Sequence, residues 1–132
     1  MTPRGYRNNN PGNIRKSNSM WLGKVEKGTD GAFEQFVSME YGLRAMMKLL
    51  IKYLVKYKAE DIRGIIERWA PSSENDVDAY VATVVNRSGF GPYDELKPEK
   101  EYIIPITKAM CFHENGIDEI PLETYEKAWE LI

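Results

Sequence analysis

The chain has 132 residues, a formal net charge of −2 and one cysteine. A single cysteine excludes an internal disulfide framework, and one cysteine with one histidine argues against a structural zinc site. We therefore expect no metal and no cofactor. No apolar stretch is long enough to span a bilayer, and the start, MTPRGYRNNN, lacks the apolar segment of a signal peptide. The length suits a single domain, residues 1–132, with one core.

The N-terminal third of the chain predicts a tight turn followed by a β-hairpin. NPGN, residues 10–13, is typical of a type II turn, in which Gly12 would take a positive φ. MWLGKVE and AFEQFV are aromatic and β-branched runs separated by KGTDG, a loop with two glycines. We expect this hairpin to form a small N-terminal lobe.

The hydrophobic period becomes helical after Ser38, which suits a helix N-cap. Pro105 leaves open whether the fourth helix is one kinked helix or two abutting helices. The overall prediction is an α+β fold that is mainly α. The predicted helices cover residues 38–57, 61–69, 76–89, 98–116 and 121–132.

The fourth predicted helix places one carboxyl group on its apolar stripe. Met110 and Ile106 precede Glu114 by four and eight residues, and Gly116 is a plausible helix stop. Partial desolvation favours the protonated carboxyl group, which is the form that a general acid needs. Alternatively, Glu114 leaves the edge of the stripe for solvent or pairs with a basic side chain.

Several motifs resemble the lysozyme-like superfamily. AMCFHENG, residues 109–116, resembles the helix end that carries the catalytic glutamate of lytic transglycosylases. NNNPGNIR and FEQFVSMEYGLRA resemble the asparagine loop and the S-x-E segment of bacterial glucosaminidases, and ENDVDAYVATVV resembles the helix whose tyrosine faces that glutamate. From Arg4 to Gly116, the pattern is similar to short phage virion and endolysin-like proteins. The loop precedes the glutamate helix here, so the resemblance implies a circular permutation.

The resemblance implies a peptidoglycan-degrading glycosidase, either a lysozyme or a lytic transglycosylase, that cleaves the β-1,4 bond. Glu114 would be the general acid, Tyr80 would position it, and Glu40 is the alternative catalytic acid. A second carboxylate, if one takes part, would come from the hairpin. The substrate-binding candidates are Asn8, Asn9, Asn10, Asn13 and Trp21, and the second-acid candidates are Glu26, Asp30 and Glu34.

Other interpretations stay open at this point. The asparagines could instead hydrogen-bond their own backbone as turn formers, Trp69 is expected in the core, and His113 is expected at the surface or the groove edge. The rival function is a non-catalytic structural or glycan-binding virion protein with the same fold. We expect a monomer in a phage virion, or in the host cytoplasm with release to the cell wall. Its partner would be the glycan strand of peptidoglycan, with no nucleic-acid or membrane partner.

Overall fold

A computed structural model of the chain describes residues 2–70, 72–73 and 75–132. Pro71 and Glu74 lie outside the described residues, and Glu74 is the first residue of the ENDVDAYVATVV motif quoted above. The chain is mainly helical, as the sequence predicts. In the described residues the helices are α1 (Arg4–Arg7), α2 (Met39–Val55), α3 (Ile62–Trp69), α4 (Val77–Ser88), α5 (Lys100–Asn115) and α6 (Leu122–Glu130).

The helix ends follow from short-range chemistry. The Asp61 and Asp76 carboxylates cap α3 and α4 by accepting from backbone N–H groups three residues later, at 2.7 and 3.0 Å. Ser38 precedes α2 with an extended backbone, but its side chain makes no cap hydrogen bond. Gly89 and Gly116 end α4 and α5 with φ values of 85° and 74°, a conformation that glycine adopts without steric cost.

The fourth predicted helix is continuous. Pro105 lies inside α5 and leaves the carbonyl of Glu101 without its helical donor, but Glu101 is exposed and can be hydrated. The prediction left open one helix or two, and the structure has one. As a result, α5 runs unbroken from Lys100 through the core to Glu114.

The predicted N-terminal hairpin does not form as two regular strands. The two segments run antiparallel, but among the described residues their pairing is limited to isolated bridges. Lys24–Phe36 joins the two predicted strands, whereas Arg15–Phe33 joins the second strand to the segment that follows the asparagine loop.

The second predicted strand is shared between two neighbours, which explains the missing ladder. The Glu34 N–H donates to the Ile14 carbonyl at 2.9 Å, whereas the Gln35 carbonyl accepts from the Val25 N–H at 2.8 Å. The amide-rich segment before Ile14 therefore occupies one edge of this strand. A prediction based on the local pattern paired it only with the segment that contains Val25.

The core surrounds α5, which packs against α1, α2, α4 and α6. The buried apolar residues form one cluster, and within the described residues no helix is long and apolar enough to cross a membrane. The asparagine loop rests on α2 at Gly42, where a β carbon would overlap the Asn9 carbonyl oxygen. This contact fixes the loop against the helical body. The largest fully buried residues of the core cluster include Leu43, Met46, Met47, Leu50, Ile65, Ile103, Met110, Tyr80 and Tyr125.

The predicted type II turn is wrong. The Asn13 N–H does donate to the Asn10 carbonyl at 3.0 Å, which closes a turn over NPGN. Gly12 does not have a positive φ, however, and the left-handed residues of this segment are Asn9 and Asn13, each with φ of 52°. Gly12 is instead required by close packing, since a β carbon there would lie 2.8 Å from the Met46 sulfur.

Candidate active site

The Glu114 carboxylate lies at the C-terminal end of α5, half-buried and held by two donors. Its Oε1 accepts from the Asn13 side-chain amide at 2.9 Å, and its Oε2 accepts from the Tyr80 hydroxyl at 2.9 Å. The two donors come from the asparagine loop and from α4. Three segments that are distant in sequence therefore meet at one carboxylate. The alternative left open by the sequence was that Glu114 pairs with an Arg or Lys side chain, and the described contacts of Glu114 do not show such a pair.

Tyr80 is almost completely buried, with 1% of its surface exposed. Burial, and then the negative charge of Glu114, raise the pKa of Tyr80 well above its usual value. The phenol therefore stays protonated at neutral pH and remains able to donate. Its position is fixed because α4 packs along α5 over much of its length.

His113 forms the outer face of this arrangement. Its ring stacks on Tyr80, with ring centroids 3.9 Å apart and an interplanar angle of 30°. The Thr83 hydroxyl donates its one proton to the Ala79 carbonyl at 3.1 Å. The same hydroxyl oxygen lies 3.0 Å from His113 Nδ1, so Thr83 links the His113 ring to α4.

Asn9 and Asn10 use their side chains to build the loop. The Asn10 amide is fully buried, donates to the carbonyls of Ile14 and Glu34 at 3.0 and 2.9 Å, and accepts from the Ile14 N–H. The Asn9 amide donates to the Phe36 carbonyl at 3.1 Å. These pairings agree with the alternative interpretation of loop-forming side chains. A role of Asn9 and Asn10 in substrate binding stays a prediction.

The Asn8 side chain is also hydrogen-bonded inside the protein, in a network centred on Asp30. Its amide donates to Asp30 at 2.9 Å and its carbonyl accepts from Gln35 at 3.0 Å. Arg4 binds both carboxylate oxygens of Asp30 at 2.7 Å. The Arg4 guanidinium, with backbone donors and Asn8, holds the pKa of Asp30 well below its usual value of 3.8. Asp30 is therefore committed to this network and does not line the Glu114 cavity.

Asn13 is the member of the asparagine loop that reaches Glu114, and Asn115 supports it from α5. The Asn115 amide donates to the Pro11 and Cys111 carbonyls at 2.8 Å, which ties the loop to the helix. The amide oxygens of Asn13 and Asn115 are buried without a protein partner. Both lie close to Gly5, where a β carbon would be 2.5 Å from the Asn115 oxygen.

A cavity of about 410 Å³ opens beside the carboxylate. Its polar lining includes Glu114, Asn13, Arg15 and Asn75. Phe33, Tyr53 and Trp69 contribute aromatic surface. Trp69 packs against the core, as predicted, and also lines this cavity. A concave site with aromatic walls and a few fixed polar groups is typical of small-ligand binding.

Trp21 is not brought to the Glu114 cavity. It is half-exposed and faces α2, where it lines a separate cavity with Lys48 and Lys52. Its predicted role in substrate binding therefore depends on whether a ligand extends beyond the Glu114 cavity along α2.

None of the other candidate acids lines the Glu114 cavity in the described part of the chain. Glu34 is fully buried and forms an ion pair with Lys24 at 3.1 Å. Glu26 is exposed, and Glu40 lies in the first turn of α2 near Lys127 of α6. Within these residues no cluster of three or more His, Cys, Asp or Glu side chains could hold a metal ion.

Comparison with known proteins relates the chain to a bacteriophage protein. No protein-family model matches it. Over 130 residues the chain is 38% identical to Protein P5 of Pseudoalteromonas phage PM2, and the alignment covers 96% of this chain and 80% of that protein. The chain belongs to the Protein P5 family. The expected phage origin is thus supported at the level of the family, whereas the name P5 states no activity.

In this member of the Protein P5 family, the sequence did not predict several residues around Glu114. His113 was expected at the surface or groove edge, yet it is half-buried against Tyr80. Asn115 and Phe33 were not singled out at all. Each acquires its place from a contact with a distant segment, so a local sequence pattern carries no signal for them. The ENG triplet that ends α5 is the one local clue to Asn115.

Proposed function

We propose that the chain is a peptidoglycan-degrading glycosidase of lysozyme-like fold that cleaves the β-1,4 bond of the glycan strand. The observation that supports this most is Glu114, a carboxylate held by Tyr80 and Asn13 at the wall of an aromatic-lined cavity. A single carboxyl group fixed in this way, at the end of a core helix, suits proton donation to a glycosidic oxygen.

The chemistry follows from the two hydrogen bonds. A hydroxyl group can donate to an ionised carboxylate and can accept from a protonated one. Tyr80 can therefore orient Glu114 both before and after it transfers its proton to the leaving oxygen. Asn13 binds the other carboxylate oxygen and fixes the plane of the group. The aromatic walls would place the sugar ring next to this proton.

Two fates of the sugar are compatible with this site. A hydrolase would direct a water molecule, with or without a second carboxylate, and leave a reducing end. A lytic transglycosylase would use the acetamido group of the substrate and leave an anhydro end, and this route needs no second carboxylate. The products distinguish the two mechanisms directly.

The circular permutation is part of the proposal. The asparagine loop comes first in the chain and the Glu114 helix comes near the end, yet they meet across the core. The N-terminal segment also contacts the residues after α5, since the Tyr6 hydroxyl accepts from the Glu119 N–H at 3.0 Å. Proximity of these two segments is compatible with a permuted order of the same elements.

Membership of a phage protein family is compatible with a role in crossing the host cell wall. We place the protein in the virion, or in the host cytoplasm before release, with the glycan strand as its partner. The rival proposal is a virion protein that binds glycan or has a structural role without turnover. We keep it because the hydrogen bonds of Glu114 to Tyr80 and Asn13 are also compatible with a purely structural role for Glu114.

The deciding experiment is incubation with purified peptidoglycan, followed by mass spectrometry of the soluble products. The parent protein should release fragments, and Glu114→Gln should not. Glu40→Gln is the matched control, because it neutralises another half-buried glutamate outside the cavity. Binding to peptidoglycan without release of fragments would favour the non-catalytic function.

A further inference from the structure

Helix α2 carries a stripe of basic residues that face solvent. Lys48, Lys52 and Lys56, here called the lysine stripe, follow Arg44 at intervals of four residues and are exposed. Like charges at this spacing destabilise a helix. In the described part of the chain, no carboxylate lies within ion-pair distance of these three ammonium groups, although the chain has a net charge of −2. The Lys52 and Lys56 ammonium groups lie 5.7 and 5.6 Å from the centre of the Tyr57 ring, a contact that does not neutralise their charge. The stripe can therefore attract an external anion.

The lysine stripe forms one wall of a groove, and Trp21 forms the other. We call this feature the Trp21 groove; it comprises a cavity of about 410 Å³ lined by Trp21, Lys48 and Lys52, and an adjoining one of about 460 Å³ that reaches Met20. Met20 has 89% of its surface exposed, and Val55 is also exposed. The groove therefore combines cationic groups with accessible apolar surface.

The Trp21 groove adjoins the Glu114 cavity at Leu49, which lines both. On α2, Leu49 and Tyr53 face the Glu114 cavity, whereas Lys48 and Lys52 face the groove. These two rows are neighbours on the helix surface. A ligand that leaves the Glu114 cavity over Leu49 meets the lysine stripe next.

We propose that the Trp21 groove binds the short acidic peptides attached to peptidoglycan, so that the preferred substrate is a strand that still carries its peptides. This inference rests on the proposed function. The peptides carry free carboxylates, which suit the lysine stripe, and small apolar side chains, which suit Trp21 and Met20. The site is a concave channel beside the glycan cavity, a shape that suits a chain-like ligand rather than a flat lipid surface.

The test measures binding, so that it does not depend on turnover. Glu114→Gln protein would be titrated with glycan strands that carry their peptides, and with the same strands after an amidase has removed the peptides. We expect about tenfold tighter binding to the first, and Lys48→Glu/Lys52→Glu should abolish the difference, because two attractions become repulsions. The difference should also shrink as salt is added.

Lys97→Glu/Lys100→Glu is the matched control. It makes the same change in net charge at the start of α5, about 20 Å from Glu114 along the helix, and it should keep the full preference. Equal binding of the two strands, or the same loss in this control, would overturn the proposal. A third result would also overturn it: the protein binds phosphatidylglycerol vesicles, the Lys48→Glu/Lys52→Glu variant loses that binding, and the protein shows no preference between the two strands. Failure of the parent protein to cleave either strand, with the preference intact, would reject only the glycosidase.

Discussion

Replacement of Glu114 by glutamine tests the role of the carboxyl group with little change in shape. The Tyr80 O–H is buried and needs an acceptor, which the glutamine oxygen can supply in the place of Oε2. The glutamine NH₂ then faces the Asn13 amide, but Asn13 has a buried amide oxygen without a partner and can turn it toward the new donor. The number of hydrogen bonds is conserved.

The expected energies follow from this exchange. Two hydrogen bonds to a carboxyl group become two hydrogen bonds to a neutral amide, a loss of at most about 1 kcal/mol each. We therefore expect the free energy of unfolding of Glu114→Gln to fall by no more than about 2 kcal/mol. Activity on peptidoglycan should fall by at least about 10²-fold, because glutamine cannot donate the proton.

Two measurements separate catalysis from stability. Denaturant unfolding gives the change in the free energy of unfolding, and release of soluble fragments from peptidoglycan gives the rate for parent, Glu114→Gln and Glu40→Gln. Glu40→Gln should keep nearly full activity. The reasoning is refuted if Glu114→Gln retains more than a tenth of the parent rate, or if its rate merely follows the folded fraction. Loss of cleavage in Glu40→Gln alone would move the catalytic role to α2.

Three further predictions follow from individual contacts. Tyr80→Phe removes a donor to Glu114, so activity should fall about tenfold or more and the free energy of unfolding by about 1–3 kcal/mol, measured by the same two assays. Gly42→Ala places a β carbon on the Asn9 carbonyl and should cost about 1–3 kcal/mol in denaturant unfolding; a variant with parental stability would show that the loop does not rest on α2. The pKa of Asp30 is lowered in the folded state, so its stabilisation is present above pH 3.8 and is lost progressively as the pH falls toward the folded-state pKa. Asp30→Asn should therefore be less stable than the parent at pH 7 and lose less stability between pH 4 and pH 2, and an identical slope in the two proteins would contradict this.

The five longer helices and several of their ends were determined by the sequence, because their signals are local; the one-turn helix α1 was not predicted. The apolar period of α2, the aspartates before α3 and α4, and the glycines after α4 and α5 each act within a few residues. The placement of Glu114 on the last turn of α5 follows from the same spacing. These features need no knowledge of distant contacts.

The pairing of the N-terminal segments was decided by the tertiary structure. A local pattern can mark an extended run, but it cannot say which neighbours compete for its backbone groups. The buried amide of Asn10 takes the Glu34 carbonyl, and the predicted hairpin is reduced to isolated bridges. In the same way, close packing against Met46, rather than a positive φ, explains Gly12.

The composition of the candidate site was decided partly by the sequence and partly by the fold. The family resemblance named Glu114, Tyr80 and the asparagine loop, but it could not say which asparagine reaches the carboxylate. Asn13 does so because its left-handed backbone turns its side chain toward α5, whereas the side chain of Asn10 is buried in the loop. The stacking of His113 on Tyr80 arises from the packing of α4 against α5. Such contacts between distant segments depend on how the core packs, and only the folded chain fixes that.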